Sequence, residues 1–252
     1  MKIVVTFATE SEFRPWRRLR LFTRIRSDES AVYLARIGDV EICAALTGIG
    51  CHNARRVVRP LFEFSPAVCV CSGLAGGLKS EHRSQQVLVA KEIRRDGSPR
   101  AIKSHEKLVA LAVDCGAKPV NLIHTSERIL HTAAEKQRMG ADADAVDMES
   151  FVVVQEASAR GIPAVAIRAV ADTMERDLPL DFHQLVGEQG DIKFSRVLGG
   201  LARNPRRAGA LARFGFESLR AATSLARFLD RYLDALADWK KTQESLPQAE
   251  VG

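Results

Sequence analysis

Lys2 to Phe7 reads Lys-Ile-Val-Val-Thr-Phe, apolar and β-branched with no internal charge. Such a run fits a strand covered on both faces rather than one with a wet side. Glu41 to Leu46, Ala67 to Cys71 and Ala164 to Val170 have the same character, with weaker strand signals at Tyr33 to Arg36, Gln86 to Ala90 and Val120 to His124. Between them the apolar spacing turns helical, notably over Asn53 to Phe62, His105 to Cys115 and Asp147 to Ala159. Strands alternating with helices predict an α/β domain whose mostly parallel sheet lies between helix layers. From about Arg203 to Lys241 the chain becomes rich in Arg, Ala and Leu. Leu211, Phe214, Leu225, Phe228 and Leu229 recur there at roughly helical spacing. This predicts two amphipathic helices broken near Gly215, with a frayed end near Gln243 to Gly252. The expected organisation is an α/β unit over residues 1–202 and a helical extension of the same domain over 203–252.

In open α/β sheets ligands gather outside the carboxyl ends of the strands. The turns to inspect are therefore Ala8 to Glu12, Thr47 to Gly50, Ser72 to Gly77 and Ala171 to Thr173. Two of them are glycine-rich, which lets backbone approach a ligand closely. Two carry carboxylates.

Composition narrows the field. Among 252 residues, 46% are hydrophobic and 27% charged, as in a chain that buries a core. The net charge of +6 with 6% aromatic residues and no nucleic-acid motif speaks against a nucleic-acid partner. Five cysteines without CxxC spacing make neither a disulfide framework nor a zinc site, so a reduced, cytoplasmic setting is expected. Met1 to Phe7 is too short for a signal h-region, and no run reaches the roughly 20 apolar residues of a membrane span.

Arg168 and Asp172 are the first chemical candidates. The period of two puts both on one strand face, and an arginine in so apolar a strand needs a partner. One reading is a structural ion pair. The other places Asp172 at the strand's carboxyl edge as an acid, with Arg168 orienting a second carboxylate, Glu149. Asp147 and Glu149 also suit the first turn of a helix, where acidic residues complement the dipole. Glu12 follows the first strand, where Thr9 and Glu12 also have the spacing of a capping box; Glu10 is not separable from it on physical grounds. Cleaving an N-glycosidic bond needs a proton for the departing base, support for a cationic sugar and an activated nucleophile, a division of labour that paired carboxylates perform in glycosidases. The six histidines lack metal-ligand spacing, Cys51 lacks a His–Asp partner, and Arg14, Arg17 and Arg18 read as a phosphate contact or a solvated face.

Glu12, Thr47-Gly-Ile-Gly50, Gly73-Leu-Ala-Gly-Gly77, Val146-Asp-Met-Glu149 and Arg168-Ala-Val-Ala-Asp172 together resemble the purine nucleoside phosphorylase/nucleosidase superfamily. Order and spacing resemble its methylthioadenosine/S-adenosylhomocysteine nucleosidase branch. The resemblance implies a three-layer fold with a central mixed sheet flanked by helices, and an enzyme that releases a purine base. It implies Asp172 as the general acid at the purine N7, Glu12 as the base that activates water, and Glu149 on the ribose hydroxyls. Met148 then packs on the sugar and Arg168 stands beside Glu149. Ala75, Gly76, Leu74 and Thr47 line the pocket, the backbone of Leu130 reads the base edge, and Phe182 closes over the site. No cofactor or metal is implied, with inorganic phosphate as a co-substrate if cleavage is phosphorolytic; a homo-oligomer, a dimer first, is.

Leu74, Ala171 and Ile129 depart from the nucleosidase pattern of Ser, Ser and an aromatic, making the pocket more apolar. Gly73-Leu-Ala-Gly-Gly-Leu78, Ala145 to Ser150 and the Arg-rich tail are similar to hopanoid-associated phosphorylases, which act on adenosylhopane. That similarity implies a lipid-linked substrate and peripheral contact of the C-terminal helices with the inner membrane face. Hydrolysis and phosphorolysis both stay open: Glu12 favours water, whereas the hopanoid resemblance favours phosphate. A non-catalytic nucleoside-binding or membrane-peripheral protein is the alternative of another class.

Overall fold

The computed structural model describes residues 1–25, 31–179 and 208–245. Ten strands form one sheet: β1 (Lys2–Phe7), β2 (Thr23–Ile25), β3 (Val32–Ile37), β4 (Val40–Leu46), β5 (Val68–Gly77), β6 (Val87–Arg95), β7 (Ile102–Lys103), β8 (Lys118–Thr125), β9 (Ala145–Asp147) and β10 (Ala164–Asp172). The helices are α1 (Glu10–Arg17), α2 (Cys51–Glu63), α3 (Glu106–Asp114), α4 (Ala133–Met139), α5 (Ser150–Ser158) and α6 (Ala208–Ser245).

The sheet is mixed. β1 runs parallel to β4 and β5, and β5 parallel to β10, while β10–β6, β3–β4 and β5–β9 are antiparallel. Because β10 pairs with both β5 and β6, the strands β5, β10, β6, β8 and β9 close a ring, and β1, β4, β3 and β2 extend from it as an open wing. β5 belongs to both parts. Its first half pairs with β1 up to Cys71, and its end pairs with β9 only from Gly76 onward. Between them, on that side, Ser72 to Ala75 carry no ladder partner. Such a split at the carboxyl ends of strands is where α/β sheets admit ligands.

Helices cover both sheet faces, giving three layers. One core gathers Phe13 and Trp16 of α1, Leu108 of α3 and the buried stripe of α6; the other gathers Val57 and Phe62 of α2 with Phe151 to Val154 of α5. Three sequence expectations are corrected. The glycine-rich segment Ser72 to Gly77 is strand, not turn, because its backbone continues to pair with β10 through Gly76. The helix expected from Asp147 begins at Ser150, because Ala145 to Asp147 are taken up as β9 between β5 and β8. The tail forms one helix that passes through Gly215. A glycine in an exposed helix interior costs only about 1 kcal/mol, and the stripe formed by Leu225, Phe228, Leu229, Tyr232, Leu233 and Leu236 is fully engaged in the core. Arg20 adds ion pairs to Asp230 and Asp234, and Tyr232 donates to the Leu108 carbonyl at 3.1 Å. Among the described residues, no helix is long and apolar enough to cross a membrane.

Gly140, at the end of α4, shows how tightly that helix seats. A Cβ there would stand 2.2 Å from the Leu78 carbonyl oxygen, a backbone atom that cannot rotate away. Gly140→Ala is therefore expected to destabilise the fold by about 1–3 kcal/mol, read as a lowered midpoint in urea unfolding.

Candidate active site

Arg168 organises the cleft. It is 1% exposed, in the middle of β10, where an unpaired charge would be prohibitive. Its Nε donates to Asp147 Oδ2 at 2.7 Å and its Nη2 lies 3.2 Å from Cys71 Sγ, while Glu149 Oε2 stands 4.0 Å from Nη2. The tight partner is thus Asp147, which the sequence suggested only as a helix-dipole residue, and Glu149 is the looser neighbour. Register explains the geometry: Arg168 sits beside Gly73 on β5, and a Cβ at Gly73 would fall 2.6 Å from Nη1. Only glycine leaves room for the guanidinium.

Asp147 is saturated. Oδ1 accepts from Thr125 Oγ1 at 2.7 Å, and Oδ2 accepts from the Ser150 backbone N–H at 3.2 Å besides Arg168. The same carboxylate therefore caps α5 and neutralises Arg168. This fixes the β9–α5 junction and delivers Met148 and Glu149 to the cleft. Glu149 makes no capping bond of its own; Oε1 instead accepts from Gly50 N–H at 2.7 Å. Burial, and next the charge on Asp147, push its carboxyl up to about 8, against the opposing pull of Arg168.

Glu12 serves two structures at once. Oε2 accepts from Ala8 N–H at 2.8 Å and Thr9 N–H at 3.1 Å, completing the capping box of α1. Oε1 accepts from Leu74 N–H at 3.3 Å, on the unpaired edge of β5. Burial raises its pKa and Arg168 partly offsets that. Glu10 points elsewhere, to Arg17 at 3.0 Å.

Asp172 lies at the end of β10 past a register shift that sets it beside Gly76, where a Cβ would come 3.4 Å from Oδ2. Gly76 is three positions beyond Gly73, a rise of roughly 10 Å along β5. Lys136 of α4, 1% exposed, ion-pairs with Oδ2, and nothing in the sequence pattern signalled it. Burial raises the Asp172 pKa and Lys136 draws it back.

The other expected site residues divide. Ala75 and Leu74 flank the unpaired edge of β5 beside Glu12 and Gly76. Thr47 is buried, its hydroxyl donating to the carbonyls of Phe7 and Gly48. Leu130 packs its side chain with Leu78 and Val146. Phe182 lies outside the described residues. A cavity of about 470 Å³ opens beside Gly50 and Met148, with Ile49 and Ile129 as its apolar wall and His52 and Arg95 on its edge. Cys51 donates to the Met148 carbonyl at 3.4 Å, and burial pushes its thiol up to about 12. Among the described residues, no group of three or more His, Cys, Asp or Glu stands where it could hold a metal ion.

Buried carboxylates beside glycines of β5, with Glu12, Glu149 and Asp172 all shifted upward by burial, form an arrangement for acid–base work on a neutral, hydroxyl-rich ligand. The phosphorylase superfamily matches residues 2–203, and the chain belongs to it. It is an enzyme of the nucleoside phosphorylase and nucleosidase kind, acting on an N-glycosidic bond. The aminodeoxyfutalosine nucleosidase of Campylobacter jejuni is 25% identical over 223 residues, covering 79% of this chain and 97% of that protein. Two solved Helicobacter pylori structures share the fold. A futalosine hydrolase mutant is 19% identical, with TM-score 0.73 over 93% of this chain and 99% of the other. A methylthioadenosine/S-adenosylhomocysteine nucleosidase mutant holding 5'-methylthioadenosine is 18% identical, with TM-score 0.72 over 92% and 98%.

Two outcomes test the electrostatics. Arg168→Met should cost about 3–5 kcal/mol by leaving Asp147 buried without its cation, measured by denaturant unfolding. Glu149 holds a proton in the folded state up to about pH 8 but loses it near 4.5 when unfolded. The unfolded chain therefore binds fewer protons across that window, and Glu149 makes stability fall as pH rises. Glu149→Gln should flatten this decline and melt higher than wild type at pH 9 in a calorimetric series.

Proposed function

We propose that this enzyme hydrolyses the N-glycosidic bond of an adenosine-type nucleoside, releasing the free purine base. The observation that carries the reading is the set of buried carboxylates around the carboxyl-end half of β5: Glu12 on the Leu74 N–H, Glu149 on the Gly50 N–H beside Arg168, and Asp172 beside Gly76. Asp172 acts at the base as general acid, giving its proton to the ring nitrogen as the C–N bond breaks and its electron pair leaves with the purine. Glu149 accepts the ribose hydroxyls, and Met148 packs beside the sugar. Glu12 orients and deprotonates the attacking water, its Oε1 facing the edge where Arg168 stands. Ala75, Gly76 and Leu74 form the floor, the Leu130 backbone meets the base edge, and Thr47 borders the enclosure.

Water is favoured over phosphate because no cation projects from the β5 segment at the nucleophile's side. Cys71 is turned to Arg168, and Ser72 donates to the Thr6 carbonyl at 2.7 Å. The similarity to the Campylobacter jejuni aminodeoxyfutalosine nucleosidase supports a nucleosidase activity. The cavity beside Met148 offers space for a substituent on the sugar. A methylthioadenosine or S-adenosylhomocysteine nucleosidase is the neighbouring reading. A lipid-linked, adenosylhopane-type nucleoside met at a membrane surface is favoured by Phe216 and Leu219, 60% and 51% exposed on the outer turns of α6. The working form is a homodimer, which sedimentation velocity checks.

Free-base release from adenosine, methylthioadenosine and a long-alkyl adenosine analogue, with and without phosphate, tests the whole reading. Adenine release independent of phosphate is expected. Asp172→Asn should lower kcat about 10²–10⁴-fold with the fold intact, and Glu12→Gln should do the same. Release that requires phosphate overturns the hydrolytic reading, and no release from any substrate overturns the enzymatic one.

A further inference from the structure

Lys136 is the least expected side chain in the cleft. A lysine at 1% exposure needs full compensation. It has it: the ammonium pairs with Asp172 Oδ2 and donates to the carbonyl oxygens of Thr173 at 3.2 Å and Arg176 at 2.8 Å. All three N–H donors are used, so the head group is fixed rather than searching. α4 is itself fixed, by the Thr132–Glu135 capping box at one end and the close seat of Gly140 on Leu78 at the other. Asp172 keeps 16% side-chain exposure, and among the described residues its Oδ1 takes no hydrogen bond. One carboxylate oxygen is clamped and the other is left for an incoming group.

We propose that Lys136 is a positioning residue that sets the acid strength of Asp172: it aims Oδ1 at the departing base and stabilises the carboxylate left behind when the proton has gone. The inference rests on the general-acid role given to Asp172 above. A carboxyl buried without a cation stays protonated across the neutral range, but it is a poor donor because its conjugate base is unstable there. Proton transfer is most effective when the donor's pKa lies near the working pH. Lys136 moves Asp172 towards that range from the side of excessive protonation. The other charges facing this carboxyl are few. Glu217 of α6 opposes Lys136 by raising the Asp172 pKa, and it is itself paired to Arg176 at 2.8 Å. β5 presents Gly76 and β9 presents Val146, neither charged. The ammonium is thus the dominant partner among the described residues.

A lysine with only a structural role would lower activity or stability when removed, without moving the titration of Asp172. The experiment is the pH profile of kcat for adenine release in wild type, Lys136→Met, Lys136→Arg and Asp172→Asn. Wild type should lose rate at high pH as Asp172 loses its proton. Lys136→Met should shift that alkaline limb upward by about one pH unit or more and lower the plateau about 10-fold or more. Lys136→Arg, which keeps the charge, should restore the limb towards wild type. Asp172→Asn should abolish the limb.

Infrared spectroscopy without substrate gives a second readout. At a pH between the wild-type and Lys136→Met alkaline limbs, Lys136→Met should keep a protonated-carboxyl stretch that wild type has lost, and the double variant with Asp172→Asn should lack it. An unmoved limb and no new stretch in folded Lys136→Met overturn the inference while leaving the functional reading standing. A wild-type enzyme that releases no base overturns the functional reading, and with it the catalytic part of the inference.

Discussion

The buried guanidinium of Arg168 is the constraint on which the rest of the cleft depends. A charge in the middle of an apolar strand is tolerable only with a close counter-ion and room to lie flat. Asp147 is that counter-ion. To reach it, β9 must run between β5 and β8, and α5 must start three residues later with Asp147 also accepting the Ser150 N–H. The room comes from Gly73, where any side chain would collide with the guanidinium. One arginine therefore dictates a glycine on β5, an acid on β9 and the start of α5. It also leaves Glu149 facing the cleft instead of capping the helix.

The four acidic groups of the site illustrate how environment divides one chemistry into several roles. Asp147 is satisfied on both oxygens and faces the arginine, which makes it an anchor. Glu149 has a single backbone donor and a carboxylate neighbour, so burial dominates and its pKa climbs to about 8. Glu12 receives three backbone N–H groups, that of Thr9 belonging to the α1 capping box and that of Ala8 just before it, which ties its position to the first strand–helix turn. Asp172 alone faces a lysine. Capping and catalysis were competing readings of Glu12 from its sequence context; in the folded chain the two oxygens of one carboxylate separate the tasks.

The sheet split at β5 does for the ligand what the ion pair does for the protein. β1 leaves β5 after Cys71 and β9 joins it at Gly76, so backbone groups between them are turned to the cleft rather than to a neighbouring strand. Leu74 N–H, bound by Glu12, is one of them. α6 buttresses the opposite side, packing on α1 and β10 with Tyr232 tied to the Leu108 carbonyl, and so braces the strand that carries both Arg168 and Asp172.

Much of this was present in the chain before any coordinate. Apolar runs located β1, β4 and β10 to within two residues and only the first half of β5, because strands covered on both faces must be apolar at nearly every position, whereas the glycine-rich half of β5 read as a turn. The motifs around Glu12, Gly73 to Gly77, Met148-Glu149 and Arg168 to Asp172 carried the superfamily, because the site is built from short segments whose local order survives folding. What sequence could not decide was pairing across the fold. Asp147 and Arg168 are 21 residues apart and Lys136 and Asp172 are 36, and no local period links either pair. The short strand β9 was invisible because three residues have no periodicity, and only a gap between β5 and β8 makes them a strand. The unbroken α6 was likewise decided by the core, since burial of its apolar stripe outweighs the small local preference of Gly215 for a break. Local chemistry names the candidates; which charge meets which is a property of the packed sheet.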